Sequence, residues 1–232
     1  MLELNRLYNM DCMQGMAAFP DKYFDLAVVD PPYGIGAVKN AYKKSGKQYG
    51  NSKVVRNTYT YKQWDDTPAN AEYFTELFRV SKNQVIFGAN HFISLIPYDS
   101  PAWLIWDKVN GETDQSDCEL AWTSYSTPAR MFSYKWNGFL QGNMKNRETR
   151  IHPTQKPVAL YEWIYNRLAK PGDILLDTHA GSAPSVIAAY NLNLDIIAFE
   201  IDVEYYTLSA ERIEAEKAQM RLDLGKAPGG GL

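Results

Sequence analysis

The stretch Phe24-Asp25-Leu26-Ala27-Val28-Val29-Asp30-Pro31-Pro32-Tyr33-Gly34-Ile35-Gly36 begins as an apolar run and ends in an acid, two prolines, an aromatic residue and two glycines. Apolar runs of this length that stop at turn-forming residues are typical of a parallel strand buried on both faces of a sheet. In open α/β sheets, the loops at the carboxyl ends of such strands carry the ligand-binding groups. The stretch therefore predicts an α/β fold with a functional loop that starts at Asp30.

The loop after this strand combines hydrogen-bond acceptors with a flat ring. Pro31 and Pro32 have a fixed φ and no N–H group, so the backbone carbonyls here can face outward as acceptors. Asp30 adds a carboxylate and Tyr33 adds an aromatic face. Two acceptors beside an aromatic ring suit a planar heterocycle that carries an exocyclic NH2 group. The alternative is an ordinary strand end, in which Asp30 caps a neighbouring group and Tyr33 packs on the surface.

A strand-loop-helix-strand unit is predicted near the C-terminus. Residues 173–177 and 195–200 have strand patterns, and the loop 178–185 leads into a helix. Glu200 ends the second strand about 20 residues past the loop, where an acid accepts the two hydroxyls of a ribose. Gly181 permits a ligand to approach the backbone closely. The loop lacks the pattern G-x-G-x-x-G, which disfavours a dinucleotide because its pyrophosphate would be poorly held.

Two motifs point to a known family. Asp30-Pro31-Pro32-Tyr33 resembles the catalytic motif of DNA amino-methyltransferases, in particular the adenine-N6 enzymes. His152-Pro153-Thr154-Gln155-Lys156-Pro157 resembles a second motif of the same family, and the order, catalytic loop first and cofactor loop last, is similar to that of the circularly permuted β group. The resemblance covers most of residues 4–215. It implies a Rossmann-like S-adenosylmethionine-dependent methyltransferase sheet with helices on both faces, a circularly permuted order and small inserted recognition segments.

The resemblance also implies the roles of particular residues. The residues expected to be catalytic are Asp30, Pro31, Pro32 and Tyr33. An acid at the position of Asp11 hydrogen-bonds the adenine amine of the cofactor in the family, although a helix N-cap is an equally good interpretation of this residue. No metal is expected. The residues expected to bind S-adenosylmethionine are Asp11, Cys12, Asp30, His152, Thr154, Gln155, Lys156, Thr178, His179, Ala180, Gly181, Ser182, Glu200 and Ile201.

The reaction implied by the resemblance is methyl transfer to the N6 amine of an adenine flipped out of double-stranded DNA. The two N–H groups of the amine would donate to the Asp30 carboxylate and the Pro31 carbonyl, and Tyr33 would stack on the base. Cytosine-N4 transfer uses the same chemistry and is an alternative. A second alternative is a catalytically degenerate nucleic-acid-binding protein with the methyltransferase fold, because Ala183 stands where the family usually has a glycine and Pro184 follows it. The methyl group of Ala183 predicts a narrower cofactor site.

The charge distribution is uneven although the formal net charge is only −3. Basic residues cluster in two segments on either side of the expected reaction loop, and residues 35–68 are predicted to be a basic flexible loop and 127–150 a small target-recognition insert. A charge cluster is usually only a solvated face, but two clusters beside one loop fit a phosphate-binding rim. The residues expected to contact DNA are Lys39, Lys43, Lys44, Lys47, Lys53, Arg56, Arg130, Lys135, Lys145, Arg147 and Arg150.

Length and composition predict a single methyltransferase domain over residues 1–222, followed by a flexible tail at 223–232. Cys12 and Cys118 have no paired spacing, which favours a reducing compartment, and no apolar run reaches the ~20 residues of a membrane span. We therefore expect a soluble cytoplasmic protein of prokaryotic or phage type. Double-stranded DNA is the expected partner, a cognate restriction enzyme is a candidate partner, and the choice between monomer and homodimer stays open.

Apolar periodicity predicts the remaining elements. Further strands are expected at 6–10, 84–87, 102–108 and 120–125, and helices at 12–19, 71–81, 158–170 and 203–222. His91 lies at a strand-to-helix junction and is expected to be a capped, structural histidine rather than a catalyst.

Overall fold

The computed structural model describes residues 2–44, 46, 62, 66–111, 116–137 and 140–224 of the 232-residue chain. The strands in these residues are β1 (Arg6–Asn9), β2 (Phe24–Val29), β3 (Ser81–Phe87), β4 (Leu104–Asp107), β5 (Cys118–Thr123), β6 (Arg130–Ser133), β7 (Trp136–Asn137), β8 (Leu140–Gln141), β9 (Ile174–Asp177) and β10 (Asp195–Glu200). The helices are α1 (Cys12–Ala17), α2 (Ala37–Lys44), α3 (Ala71–Val80), α4 (Val158–Leu168), α5 (Pro184–Asn191) and α6 (Val203–Leu224). Two short 3-10 helices, Ala89–His91 and Ile93–Leu95, follow β3.

Most of the strands form one sheet in the order β1-β10-β9-β2-β3-β5-β4-β6, and β7 and β8 form a separate pair. Neighbouring strands are parallel from β1 to β3, β5 is antiparallel to both of its neighbours, and β6 is parallel to β4. All strands of the described sheet except β5 therefore end at the same edge. The C-terminal unit β9-α5-β10 lies beside β2. This arrangement confirms the predicted α/β class, with a mostly parallel sheet and a permuted order.

The core consists of two apolar layers, one on each face of the sheet. Leu26 and Val28 of β2 face a layer that contains α4 and α5, whereas Ala27 and Val29 face a layer that contains α1 and α3. This alternation follows from the strand geometry, in which successive side chains point to opposite faces. All four side chains are fully buried. Because β2 is covered on both faces, its carboxyl end is held in a fixed position at the sheet edge.

Two segments are more regular than the sequence suggested. Residues 35–68, which we expected to be a loop, contain α2, whose alanine and lysine residues are good helix formers. Residues 127–150, which we expected to be an insert, contribute β6 to the main sheet, where Phe132 pairs with Trp106. A four-residue strand is too short for its alternation to stand out in the sequence.

The C-terminal helix is longer than expected. α6 reaches Leu224, so the predicted tail at 223–232 begins inside the helix, and residues 225–232 lie outside the described part of the chain. The assignment of residues 1–222 to one domain stays a prediction. Among the helices that the structure describes, none has the length and apolar character needed to cross a membrane.

Ala183 has an unusual backbone conformation at the start of α5. Its φ of 56° and ψ of 38° are left-handed, a region that costs a residue with a Cβ atom roughly 1–2 kcal/mol. The methyl group is fully buried in the core layer that contains α4 and α5. The glycine that the family usually has here would adopt this conformation without strain.

We predict that Ala183→Gly leaves the melting temperature within about 2 °C of the parent value. Relief of roughly 1–2 kcal/mol of strain offsets the loss of a buried methyl group, worth about 0.8 kcal/mol, and the added entropy of the unfolded chain, about 0.4–1 kcal/mol. The matched control is Ala188→Gly in the helical interior of α5, which loses a buried methyl group without relief of strain. Thermal unfolding should show a clear decrease for that control, and an equal decrease for both variants would contradict the strain at Ala183.

Candidate active site

A cavity of about 310 Å³ lies at the edge where β1, β2, β9 and β10 end. Every residue that we expected to bind the cofactor lines it, together with Pro32 of the expected catalytic set. The structure adds three lining residues that sequence reasoning missed, Met10, Tyr161 and Pro184. Ala183 is not among the described lining residues, so its methyl group does not narrow the cavity as we had expected.

Glu200 lies at the tip of β10 and is held by two backbone amides. The Gly181 N–H donates to Glu200 Oε2 at 2.8 Å, and the Asp202 N–H donates to Oε1 at 2.8 Å. Burial raises the pKa of Glu200 to about 7. Each carboxylate oxygen keeps a second acceptor site, so the ionised side chain can accept hydrogen bonds from the hydroxyls of a ribose.

Asp177 orients the loop between β9 and α5. Its carboxylate accepts hydrogen bonds from the Ser185 hydroxyl and from the His179 N–H, the latter at 3.0 Å. The side chain is buried, and burial raises its pKa to about 6. These contacts fix the turn that presents Gly181 to the cavity.

One wall of the cavity is polar but uncharged. The Tyr73 hydroxyl lies 2.7 Å from Thr178 Oγ1, which lies 2.9 Å from His179 Nδ1. His179 Nε2 lies 3.9 Å from Cys12 Sγ. Burial lowers the pKa of His179 to about 4 and raises that of Cys12 to about 12, so both side chains are neutral at pH 7. Asp11, beside them, accepts a hydrogen bond from the Met13 N–H at 2.7 Å, and thus caps α1 while it lines the cavity.

The segment before α4 covers the opposite side of the cavity. His152 is buried, its Nδ1 lies 3.1 Å from Thr154 Oγ1, and its ring packs edge-on against Tyr205. Burial lowers the pKa of His152 to about 3, so the ring is neutral. The Gln155 amide donates to the Thr149 carbonyl and accepts from the Ile151 N–H. Gln155 therefore supports its own loop, a role that the sequence did not indicate.

The catalytic loop is built around the Asp30 carboxylate. The Tyr33 hydroxyl donates to Asp30 Oδ1 at 2.6 Å, and Lys156 Nζ donates to Oδ2 at 2.6 Å. Asp30 and Pro32 line the cavity, whereas Pro31 and Tyr33 are not among its described lining residues. The Pro32 carbonyl accepts a hydrogen bond from the Ala69 N–H at 3.2 Å, so it is already used within the protein.

The Tyr33 ring is supported by two neighbours. One neighbour is His91, whose ring is stacked on it with centroids 5.1 Å apart and an interplanar angle of 18°. The other is Gly88, where an added Cβ atom would come within 2.2 Å of the ring. His91 thus contacts the loop after β2 through its ring, and its structural role stays a prediction. One face of Tyr33 is covered by His91, which limits stacking of a base to the other face.

Lys156 connects Asp30 to a second, partly buried acid. Lys156 is 4 % exposed, and its Nζ also lies 2.9 Å from Glu119 Oε2, while Glu119 Oε1 lies 2.6 Å from Lys108 Nζ. Burial favours the neutral amine, but the carboxylates of Asp30 and Glu119 outweigh it and raise the pKa of Lys156. Burial raises the pKa of Asp30 and Lys156 opposes this rise, whereas the two lysines overcome burial at Glu119 and lower its pKa to about 2.

Sequence reasoning missed Glu119 and Lys108. Glu119 lies near the start of β5, and because β5 is antiparallel to its neighbours its beginning lies at the reactive edge. An acid near the start of a short strand gives no signal in the sequence, since its position depends on the direction of that strand in the sheet.

The residues expected to contact DNA differ in their exposure and position. Lys39 and Lys43 are exposed on α2, and the side chain of Lys44 is not described. The structure also exposes Lys135, Lys145 and Arg147. Arg150 is partly buried, with its guanidinium 4.6 Å from the centroid of the Trp136 ring. Lys47, Lys53 and Arg56 lie outside the described residues.

The placement of Arg130 at the reactive edge is wrong. Arg130 begins β6 and pairs with Leu104 at the beginning of β4. Since both strands run in the common direction of the sheet, Arg130 lies at the edge opposite the cavity. Its exposed side chain is therefore remote from Asp30.

Comparison with known proteins identifies the family. A family model described as DNA methylase, N6_N4_Mtase, matches residues 41–211, which is more than half of the chain. The type II methyltransferase M.HpaI of Haemophilus parainfluenzae is 25% identical over 251 residues, covering 91% of this chain and 74% of the relative. The chain belongs to the N6/N4 DNA methylase family, and it is a DNA methyltransferase.

Solved structures show the same fold. The M1.HpyAVI–SAM complex has a TM-score of 0.54 at 22% identity, covering 89% of this chain and 98% of that one. The cytosine-N4-specific PvuII DNA methyltransferase has a TM-score of 0.57 at 14% identity, covering 92% and 91%. The cofactor of the family is S-adenosylmethionine.

The cavity fits this cofactor in two respects. Its β10 end presents Glu200, held by two amides, as the acceptor for ribose hydroxyls, and its walls at His179 and Cys12 carry no positive charge that would repel a sulfonium. The cofactor has no phosphate, so the single left-handed Gly181 gives sufficient backbone access.

We predict that the affinity for S-adenosylmethionine increases about fourfold between pH 6.5 and 8.0. Only ionised Glu200 can accept hydrogen bonds from both hydroxyls, and its pKa of about 7 places this ionisation inside the range. Calorimetry measures the affinity at each pH. The control is Glu200→Gln, which lacks the titrating carboxyl group. The amino group of the cofactor also titrates in this range, but it affects the parent and the variant equally. The ratio of parent to variant affinity should rise with pH, and a constant ratio would exclude Glu200 as the titrating group.

Proposed function

We propose that this chain transfers a methyl group from S-adenosylmethionine to the N6 amine of an adenine that is flipped out of double-stranded DNA. The observation that carries the proposal is the Asp30 carboxylate, fixed by Tyr33 and Lys156 at the wall of the cofactor cavity. Its loop has the sequence Asp-Pro-Pro-Tyr, which resembles the adenine-specific form of the family motif.

Two acceptors are available for an exocyclic amine. Two of the roughly four acceptor sites of the Asp30 carboxylate are used by Tyr33 and Lys156, which leaves sites for a substrate N–H. Within the described part of the chain, no backbone N–H group donates to the Pro31 carbonyl oxygen. Accepting both N–H groups would draw the amine nitrogen toward tetrahedral geometry and concentrate its lone pair.

The protein contributes orientation and charge. S-adenosylmethionine supplies an electrophilic methyl group on a sulfonium. Orientation of two reactants is worth roughly 7–11 kcal/mol, and preorganised charge stabilises the positive charge that develops on the amine nitrogen. Asp30 can accept the proton that the methylated nitrogen releases, so the proposed reaction needs no histidine base.

The DNA-binding surface is proposed from charge. A base inside a duplex is out of reach, so the target must leave the stack. The exposed lysines of α2 with Lys135, Lys145 and Arg147 are candidates for phosphate contacts.

A cognate restriction enzyme stays a candidate partner, and a nuclease that cuts the unmethylated form of the modified sequence would identify it. Sedimentation with and without DNA would decide between monomer and homodimer.

The test is the identity of the modified nucleoside. The chain is expressed in a host that lacks its own DNA methyltransferases, and the genomic DNA is digested and analysed by mass spectrometry. We expect N6-methyladenine, and N4-methylcytosine in its place would assign the alternative specificity. The control, Asp30→Asn, keeps the shape of the side chain but loses the carboxylate, and should lower methylation by roughly 10³-fold, the upper part of the effect of one preorganised electrostatic group.

Two substitutions of Tyr33 distinguish the contribution of its hydroxyl group to the reaction from that of its ring. Tyr33→Phe loses one hydrogen bond to Asp30 and should slow transfer to DNA by about 5-fold, corresponding to about 1 kcal/mol. Tyr33→Ala also loses the ring, and base stacking is worth about 1–3 kcal/mol, so its decrease should be at least fivefold greater. The rates of both variants are measured by the transfer of labelled methyl groups to DNA. Thermal unfolding shows whether each variant is folded. Equal rates for the two variants would argue against stacking of the base on Tyr33.

A further inference from the structure

Glu119 is a partly buried acid that approaches the reaction site without lining it. It lies on β5 and contacts Lys156, its side chain is 22 % exposed, and it is not among the described residues that line the cavity. Its Oε2 atom is 2.9 Å from Lys156 Nζ, yet within the described residues it accepts no hydrogen bond of good geometry. The contact is therefore chiefly an attraction between charges.

The charges at this end of the cavity do not cancel. Asp30 and Lys156 form a pair with no net charge, and Glu119 adds one negative charge behind it. The other partner of Glu119 is Lys108, which lies one contact further from the cavity. The attraction or repulsion between two charges weakens with distance, so Lys108 acts on the cavity less than Glu119 does. Seen from the cavity, the cluster is therefore negative.

A negative cluster matters because two positive charges are expected in front of it. The sulfonium of S-adenosylmethionine carries one, and the amine nitrogen develops another as it accepts the methyl group. Without Glu119, the buried ammonium of Lys156 would offset the carboxylate of Asp30, and the site would lose its attraction for either charge.

We propose that Glu119 is a positioning residue, which holds Lys156 beside Asp30 and cancels its charge, so that the cavity keeps a net negative charge for the sulfonium and for the developing charge on the amine. The part that concerns the amine rests on the proposed function, whereas the part that concerns the sulfonium needs only the cofactor of the family. The test uses the second part, so it does not depend on which base is methylated.

The experiment compares two ligands that differ in one charge. Calorimetry gives the affinities of S-adenosylmethionine and of S-adenosylhomocysteine, its uncharged thioether, for the full chain. Glu119→Gln should reduce the preference for the charged ligand by roughly tenfold and leave the affinity for the thioether unchanged. If Glu119 had a purely structural role, Glu119→Gln would lower both affinities equally or leave both unchanged. An unchanged preference for S-adenosylmethionine over S-adenosylhomocysteine would overturn the proposal.

Two control variants test whether the effect depends on the position of the negative charge. Asp25→Asn removes one acid that is paired with Lys82 at the other end of β2, about 16 Å from Asp30 along the strand, and should leave the preference unchanged. Glu119→Asp keeps the charge with a shorter side chain and should retain most of the preference. A decrease as large as that of Glu119→Gln would contradict an electrostatic role.

A substitution with the opposite expected effect on the ligand preference tests the proposal even if Glu119→Gln does not fold. Lys108→Met removes the outer cation and leaves Glu119 paired with Lys156, so the cavity becomes more negative. The preference for S-adenosylmethionine over the thioether should then increase by about twofold or more. A decrease would overturn the proposal. Because neither ligand measurement uses DNA, failure of methylation with an intact preference would count against the proposed function alone.

Discussion

The ion pair between Asp30 and Lys156 joins segments that are 126 residues apart and brings the two sides of the site into contact. β2 delivers Asp30 to the sheet edge, and the segment before α4 delivers Lys156 to the same place. Removal of one partner of a buried pair leaves an uncompensated charge, which typically costs about 3–5 kcal/mol. The loop after β2 and the segment that covers the cavity are therefore coupled, and the contacts of Tyr33 with Asp30 and of Glu119 with Lys156 extend this coupling.

The electrostatics of the cavity are divided between its walls. His152, His179 and Cys12 are kept neutral by burial, so those walls carry no mobile charge near pH 7. The charged residues that line the cavity are Asp11, Asp30, Lys156 and Glu200. Glu200 holds two backbone amides, and Asp30 belongs to the cluster with Lys156 and Glu119. This division suits a ligand with hydroxyl groups at one end and a cation at the other.

The sequence predicted the residues that line the cavity more accurately than the positions of the basic residues around it. Residues of the cofactor set were assigned from motifs that follow strands, and parallel strands bring their carboxyl ends together, so they converge on one cavity. Arg130 was placed wrongly because nothing in residues 127–150 indicated a strand of the main sheet. Gln155 lines the cavity, and its amide also bonds to its own loop, which the sequence did not indicate. The position of Arg130 depends on strand pairing outside its own segment.

The sequence by itself determined the buried strand at 24–29 and the acceptor groups and aromatic ring of the loop that follows it, because these follow from local apolar patterning and from residue type. Only the tertiary structure decided that β5 runs antiparallel, and with it that Glu119 lies behind Lys156. It also decided that His91 supports Tyr33 and that Ala183 adopts a left-handed conformation beside the cavity without entering it. The physical reason is that strand direction, ring stacking and ion pairing join residues far apart in the chain, so no single stretch of sequence contains both partners.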